Sequence, residues 1–328
     1  MLISKNIFSQ ELQWKNIEMN VNSSLRGLSV VDDSVAWASG SNGWIGKSIN
    51  GGNNWDFKQV KGFEKLDFRS IYAFDKQKAM IANAGSPANI MVTDDGGTNW
   101  KVVYTNNDTA AFFDGMDFWN EKEGMIYGDP INKKMVLFST IDAGLHWNEI
   151  PETSRPILSD GEASFAASGT GIRCFENKKI IIATGGKVSR LLVSENKGTD
   201  WKTIKTPIIQ GEASTGIFSV ACRNEKNLII VGGDFLKDTM MKNHIFITND
   251  GGKNWSAPLV PTGGYRECVE FITDKIVIAT GPTGTDISYD GGIKWKPLSD
   301  EKLFHTIRKA RNGTLIVAVG KGKMGMIK

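Results

Sequence analysis

One eight-residue unit recurs six times along this chain and narrows what it can fold into. Its plainest copy is Thr93-Asp94-Asp95-Gly96-Gly97-Thr98-Asn99-Trp100; the others run from Ser48 to Trp55, Thr140 to Trp147, Ser194 to Trp201, Thr248 to Trp255 and Ser288 to Trp295. Every copy opens on a hydroxyl residue and carries a short acid or amide at its third position: Asn50, Asp95, Asp142, Asn196, Asp250 and Asp290. Every copy keeps a glycine at the fifth position and closes on Trp55, Trp100, Trp147, Trp201, Trp255 or Trp295. A short carboxylate or amide bonds backbone N–H groups across a tight turn, and a hydroxyl does so more weakly. Glycine supplies a positive φ at no steric cost. The indole brings a large apolar face and one N–H to satisfy. The unit reads as a turn that staples two strands.

Successive closing tryptophans stand roughly 40 to 54 residues apart, the period of four-stranded propeller blades. Within a period the pattern repeats: a short strand (69–74), a polar turn (75–78), an apolar strand (79–82), a loop, a strand entering the box, and a fourth strand (101–104). Short, evenly spaced strands with Gly and Asn turns argue for an all-β chain. After the sixth box, the segments 304–308, 313–318 and 324–327 supply three further strands without a box. The stretch Leu12-Gln13-Trp14-Lys15-Asn16-Ile17 reads like a post-box strand and supplies the fourth. The expected fold is a seven-bladed β-propeller with four-stranded antiparallel blades, one domain over residues 1–328. The N-terminal strand completes the C-terminal blade and removes the open edges.

Composition enters as a set of exclusions. Across 328 residues, 40% apolar content and ten Trp are enough for a substantial core. A net charge of +3 leaves no electrostatic footprint for nucleic acid. Three widely spaced cysteines (Cys174, Cys222, Cys268) imply no disulfide framework and read as small buried hydrophobes. No apolar run is long enough to span a bilayer. Residues 1–10 read as the remnant of a signal or as a tail, which leaves the compartment open and favours export over the cytoplasm. No metal or cofactor is expected, because His146, His244 and His305 are scattered and the boxes lack the ligand density of a calcium loop. The glycine-rich run 320–325 lies in a strand-to-strand turn, whereas a dinucleotide site needs it between strand and helix.

In a propeller the boxes share one face. The inter-blade linkers and the second-to-third-strand loops share the other, where the insertions fall (85–89, 128–134, 151–169, 206–216, 232–243). Loops on a rigid scaffold are where binding concentrates. Aligning the first strands gives a column at this face: Arg26, Arg69, Asp114, Thr170, Phe218, Arg266 and His305. Its charged members Arg26, Arg69, Asp114, Arg266 and His305, with Asp129 and Glu162 nearby, are the candidate partner-binding residues, since guanidinium groups take carboxylates bidentately. The plain alternative is that they pair with Asp129, Glu162, Glu212 or Glu270. Trp44 and Phe235 on the same face are candidate aromatic anchors, although packing against neighbouring loops is their plainer role.

The repeated unit resembles the Asp-box of bacterial neuraminidase repeats. The fuller blade pattern resembles the photosystem II stability/assembly factor family of plants and cyanobacteria, with its relatives in non-photosynthetic bacteria. The residues that carry this likeness are Arg26-Gly27-Leu28-Ser29-Val30-Val31-Asp32-Asp33, Ala36-Trp37-Ala38-Ser39-Gly40, and the endings at Trp55, Trp100 and Trp255. The resemblance implies a seven-bladed ring and a non-catalytic assembly or protein-binding role, with an arginine-bearing contact surface. A glycoside hydrolase, sialidase-like or xyloglucanase-like, stands second, with carbohydrate as partner. Arg26, Arg69 and Arg266 would hold a substrate carboxylate, Tyr72 or Tyr265 would be the nucleophile, and Glu162, Asp114 and Asp129 would supply carboxylates. The Arg-Ile-Pro of sialidases is absent, their propellers have six blades, and a xyloglucanase cleft needs a second propeller. An oxidoreductase finds no redox site in the sequence.

Overall fold

Alternating apolar residues in short strands give seven antiparallel sheets around an axis in the computed structural model, which describes residues 12–328. The expectation for residues 1–10 lies outside the described residues. Blade 1 runs outward as Leu25–Val30, Ala36–Gly40, Trp44–Ser48 and Asp56–Gln59. Blade 2 is Asp67–Ala73, Ala79–Ala84, Ala88–Thr93 and Lys101–Asn106, and blades 3, 4 and 6 begin at Phe113–Phe118, Ile172–Phe175 and Cys268–Phe271. Blade 7 takes Phe304–Lys309, Ile316–Gly320 and Lys323–Ile327 from the C-terminus and Trp14–Ile17 from the N-terminus. The closing register pairs Trp14 with Ile327 and Ile17 with Met324.

Blade 5 departs from the four-strand rule. Thr215–Cys222, Leu228–Asp234 and Ile245–Thr248 are regular, but the outer position is one bridge between Ile247 and Ser256. Pro258 and Pro261 follow at once, and proline cannot donate to a ladder. The inner edge of this sheet is extended instead by Gly185–Gly186 and Glu162–Ala163 from the blade 4 loop and the preceding linker.

The boxes bond as the sequence requires. In all six, the opening hydroxyl accepts the glycine N–H at 2.8–3.0 Å and donates to the Asp or Asn oxygen at 2.8–3.1 Å. That oxygen accepts the N–H of the residue before Trp at 2.9–3.0 Å. The fifth-position glycines hold φ between 78 and 95°, where a Cβ is strained. The tryptophans do more than staple. Each packs with the blade before its own: Trp147 with Met80 and Ile90 of blade 2, Trp255 with Ile181 and Leu191 of blade 4, Trp295 with Ile229 and Val231 of blade 5. The box indole is a wedge between blades.

Blade 7 has no box, and Trp14 fills the wedge. Its ring meets Phe304 edge-on at 4.8 Å, within a cluster that joins Cys268, Ile278 and Ile287 of blade 6 to blade 7. No helix among the described residues is long and apolar enough to cross a membrane.

Candidate functional site at the ends of the channel

The inner strands give the channel two ends. The boxes lie with the first hairpins of their blades, since Gly51, Gly96 and Ala143 donate to the carbonyls of Ser34, Gln77 and Lys122 at 2.8–2.9 Å. The linkers and larger insertions lie at the other end, where the sequence aligns its arginine column.

At the linker end the linker from blade 3 to blade 4 crosses the channel. Arg26 donates to the Ala167 carbonyl at 2.8 Å, and the Ser168 hydroxyl to the Glu267 carbonyl at 2.7 Å. Ser168, Thr170 and Ser219 then continue a buried hydroxyl chain at 2.6 Å a step. This segment ties blades 1, 5 and 6 across the axis and fills the opening that the column was expected to line.

The column residues are largely matched one by one. Arg26 and His305 share the Glu267 carboxylate, at 3.0 and 2.7 Å. Burial works against that charge, but His305 and Arg26 hold the Glu267 carboxyl below its usual range. Arg266 is buried and bonded through its guanidinium to Asp286, Thr283 and its neighbour's carbonyl. Arg69 is partly exposed and pairs through Nε with Asp67 at 2.7 Å. Phe218 stacks on Phe165 at 3.8 Å, with Phe235 and Tyr265 against its edges. The three guanidiniums therefore do not gather around one open mouth: each has its own carboxylate, and none of these is among the partners foreseen for them.

Of the acids at this end, Glu162 and Asp129 are engaged, while neither carboxyl oxygen of Asp114 has a hydrogen-bond partner among the described residues. Glu162 is held by Arg190 through two bonds of 2.8 and 2.9 Å, and by the Thr184 hydroxyl at 2.8 Å. Asp129 accepts the Ser164 N–H at 3.0 Å. Asp114 is fully buried, and burial together with Asp129 pushes its carboxyl well up, against the pull of Arg69. Of the phenols proposed as nucleophiles, Tyr265 is covered, and Tyr72 lines a cavity at the opposite end of the channel. Tyr265 is buried against Glu267, and burial pushes Tyr72 up to about 12 although the Arg311 guanidinium sits 4.4 Å from its ring centre. Sugar hydrolysis needs two carboxyl groups flanking a substrate in an open groove; Asp114 and Glu162 do not reach one.

The box end is different. Here a cavity of about 230 Å³ is lined by Arg173, Arg308, Lys309 and Arg311, with only Asp117 and Glu270 to oppose them. Glu270 bridges Arg173 at 2.9 Å and Arg308 at 3.3 Å. Arg173 also donates to the Val220 and Val269 carbonyls, which fixes its fork across three blades. Arg311 lies exposed on the hairpin of blade 7, anchored to the Ser29 hydroxyl and the Ala73 carbonyl. Asp117 is spent on the backbone N–H groups of Cys174 and Phe118. Such a set of rigid, donor-rich cations over few acids can accept an anionic group. The sequence reading missed it by aligning the starts of the inner strands rather than their ends. The signal was Arg308-Lys309-Ala310-Arg311 at a strand-to-hairpin junction.

Among the described residues no group of three or more His, Cys, Asp and Glu side chains is arranged to hold a metal ion. His146 pairs with its own box acid Asp142, and His244 is buried against Thr262. The three thiols are free, and burial pushes Cys222 up to about 12 and Cys268 to about 11. The glycine-rich run 320–325 turns between Ile316–Gly320 and Lys323–Ile327, as the sequence implies.

Comparison with known proteins adds to this geometry. Residues 7–110 match the sequence model of a family described as photosynthesis system II assembly factor YCF48. No curated protein sequence matches the chain significantly. Among solved structures, YCF48 bound to D1 peptide superposes with a TM-score of 0.71 at 15% identity, covering 95% of this chain and 96% of that one. YCF48 from Cyanidioschyzon merolae gives 0.70 at 14% identity over 96% and 98%. The GH74 xyloglucanase from Xanthomonas campestris gives 0.62 at 13% identity; 95% of this chain matches 53% of that one. Sequence over the first two blades and fold over the ring agree: this chain is a seven-bladed propeller resembling the photosystem II assembly factor YCF48 family.

Proposed function

We infer that the chain is a protein-binding propeller of the assembly-factor kind, and that it holds an acidic peptide segment by its carboxylates at the box end of the channel. The observation that carries this reading is the mouth formed by Arg173, Arg308, Lys309 and Arg311. Arg173, Lys309 and Arg311 are fixed by backbone carbonyls and Arg308 by Glu270, so little ordering cost remains when a carboxylate docks. The similar fold of a YCF48 that is bound to a peptide supports a peptide as the partner class. At the linker end, Arg26 and Arg266 are already engaged, and displacing their carboxylates would strand buried charge. Arg69 is the most exposed of the three column arginines, at 32% against 21% for Arg26 and 2% for Arg266.

Fluorescence anisotropy with labelled acidic peptides tests the assignment. Arg308→Glu combined with Arg311→Glu is expected to weaken binding at least about tenfold, through lost pairing and added repulsion. Arg69→Glu is expected to leave it unchanged. The reverse pattern would move the site to the linker end.

A further inference from the structure

On the box side, a groove of about 400 Å³ runs between blades 5 and 6. It follows from the broken outer strand of blade 5. With Pro258 and Pro261 barring a ladder, residues 257–260 leave their own blade after the Ser256 bridge and tie onto the next one. Leu259 N–H donates to the Ile293 carbonyl at 2.8 Å, and Trp295 N–H to the Val260 carbonyl at 3.0 Å. The tie sets apolar side chains together at the surface: Leu259 is 75% exposed, Val260 46%, Ile293 45% and Tyr289 37%. Single exposed apolar residues need no explanation, but a contiguous set beside a groove marks a docking surface.

Two further observations say what the groove fits. Glu270 lines the arginine mouth and its chain neighbour Phe271 lines the groove, so adjacent positions of one inner strand border both. Arg223 and Lys275 stand exposed in the groove wall with Asp274 and Asp290; Asp290 is spent on the backbone N–H groups of its box, and the Arg223 guanidinium is bonded, among the described residues, to the Asp274 carbonyl rather than to a carboxylate. A ligand that continues outward from the mouth meets a second cation and then an apolar bed.

We propose that this groove takes a bulky apolar side chain of the same acidic peptide, a proposal that rests on the docking of its carboxylate at the mouth. The peptide class is an extended acidic segment with a Phe, Leu or Met a few residues from the docked carboxylate. That side chain lies against Tyr289 and Ile293, and Arg223 takes a further acid between the two anchors.

A series of labelled acidic peptides, each with one Phe moved along an otherwise Ser-containing backbone, tests the groove. One register is expected to bind about tenfold more tightly than the Phe-free parent. Tyr289→Ser with Ile293→Ser should erase that gain and leave the parent peptide unaffected; both positions are exposed, so the fold is kept. Equal binding in every register, with the parent still lost in the Arg308→Glu, Arg311→Glu variant, overturns the groove and leaves the mouth standing. Binding of the parent that ignores those arginines overturns the mouth reading and this proposal with it. Self-association abolished by Leu259→Asp overturns it as well, by giving the surface to a second copy.

Discussion

Asp95, exposed, and Asp250, partly exposed, carry their boxes by accepting hydrogen bonds. Each accepts a backbone N–H and a side-chain amide from the asparagine four residues on, and these bonds hold both carboxyls at about 2, against an ordinary 3.8. A folded-state value below the unfolded one means stability that is complete above the unfolded value and is lost as the pH falls through the folded one. Thermal melts between about pH 4 and pH 2 should therefore show a falling limb to which these two boxes contribute. Asn50 and Asn196 make the same backbone bonds without a titrating group. Asp95→Asn with Asp250→Asn is thus expected to flatten that limb and leave the neutral-pH fold intact, and an unchanged limb would remove the boxes from the acid response. Box geometry was legible in the sequence for the same reason it is robust: every bond closes within four residues.

At the scale of elements, ring closure depends on one wedge that comes from the far end of the chain. Six blades receive a tryptophan from their own box, and blade 7 receives Trp14. Trp14→Ala opens a gap between Phe304 and the blade 6 cluster, beside the strand ladder that closes the ring without a covalent link. The expected cost is about 2–3 kcal/mol, below that of a fully buried tryptophan, read as a shift in urea midpoint. A loss under about 0.5 kcal/mol would mean that the strand ladder alone closes the ring. This strand was readable because Trp14-Lys15 repeats the pattern of Trp100-Lys101. The diverted outer segment of blade 5 was written in Pro258 and Pro261, yet its new attachment to Ile293 was not, because a proline states what is forbidden and not where the chain goes instead. The crossing linker was illegible for a stronger reason. Its contacts join Arg26 to Ala167 across 141 positions and to Glu267 across 241, and no local spacing encodes such pairs.

Over the whole molecule, these contacts decide which end of the channel is available. The same residue types occur at both ends, and the difference lies in how they are paired. Where the linker crosses, each guanidinium of the column has its own carboxylate. At the box end four cations face two acids, one of which is spent on backbone N–H groups. The surplus is positive and partly open to solvent, so an anionic ligand should feel it through the solvent and be screened by salt. Raising ionic strength from about 0.05 to 0.5 M is expected to weaken an acidic peptide by roughly tenfold, chiefly through slower association. Arg308→Gln with Arg311→Gln removes two of the four cations without adding repulsion. In that variant the salt dependence should shrink to a small residue of the original slope, with a modest fall in melting temperature because Arg308 is only 17% exposed and pairs with Glu270. A slope that survives the double substitution would mean that the charge steering the peptide lies elsewhere on the ring, with Arg69 at the opposite end the first residue to test.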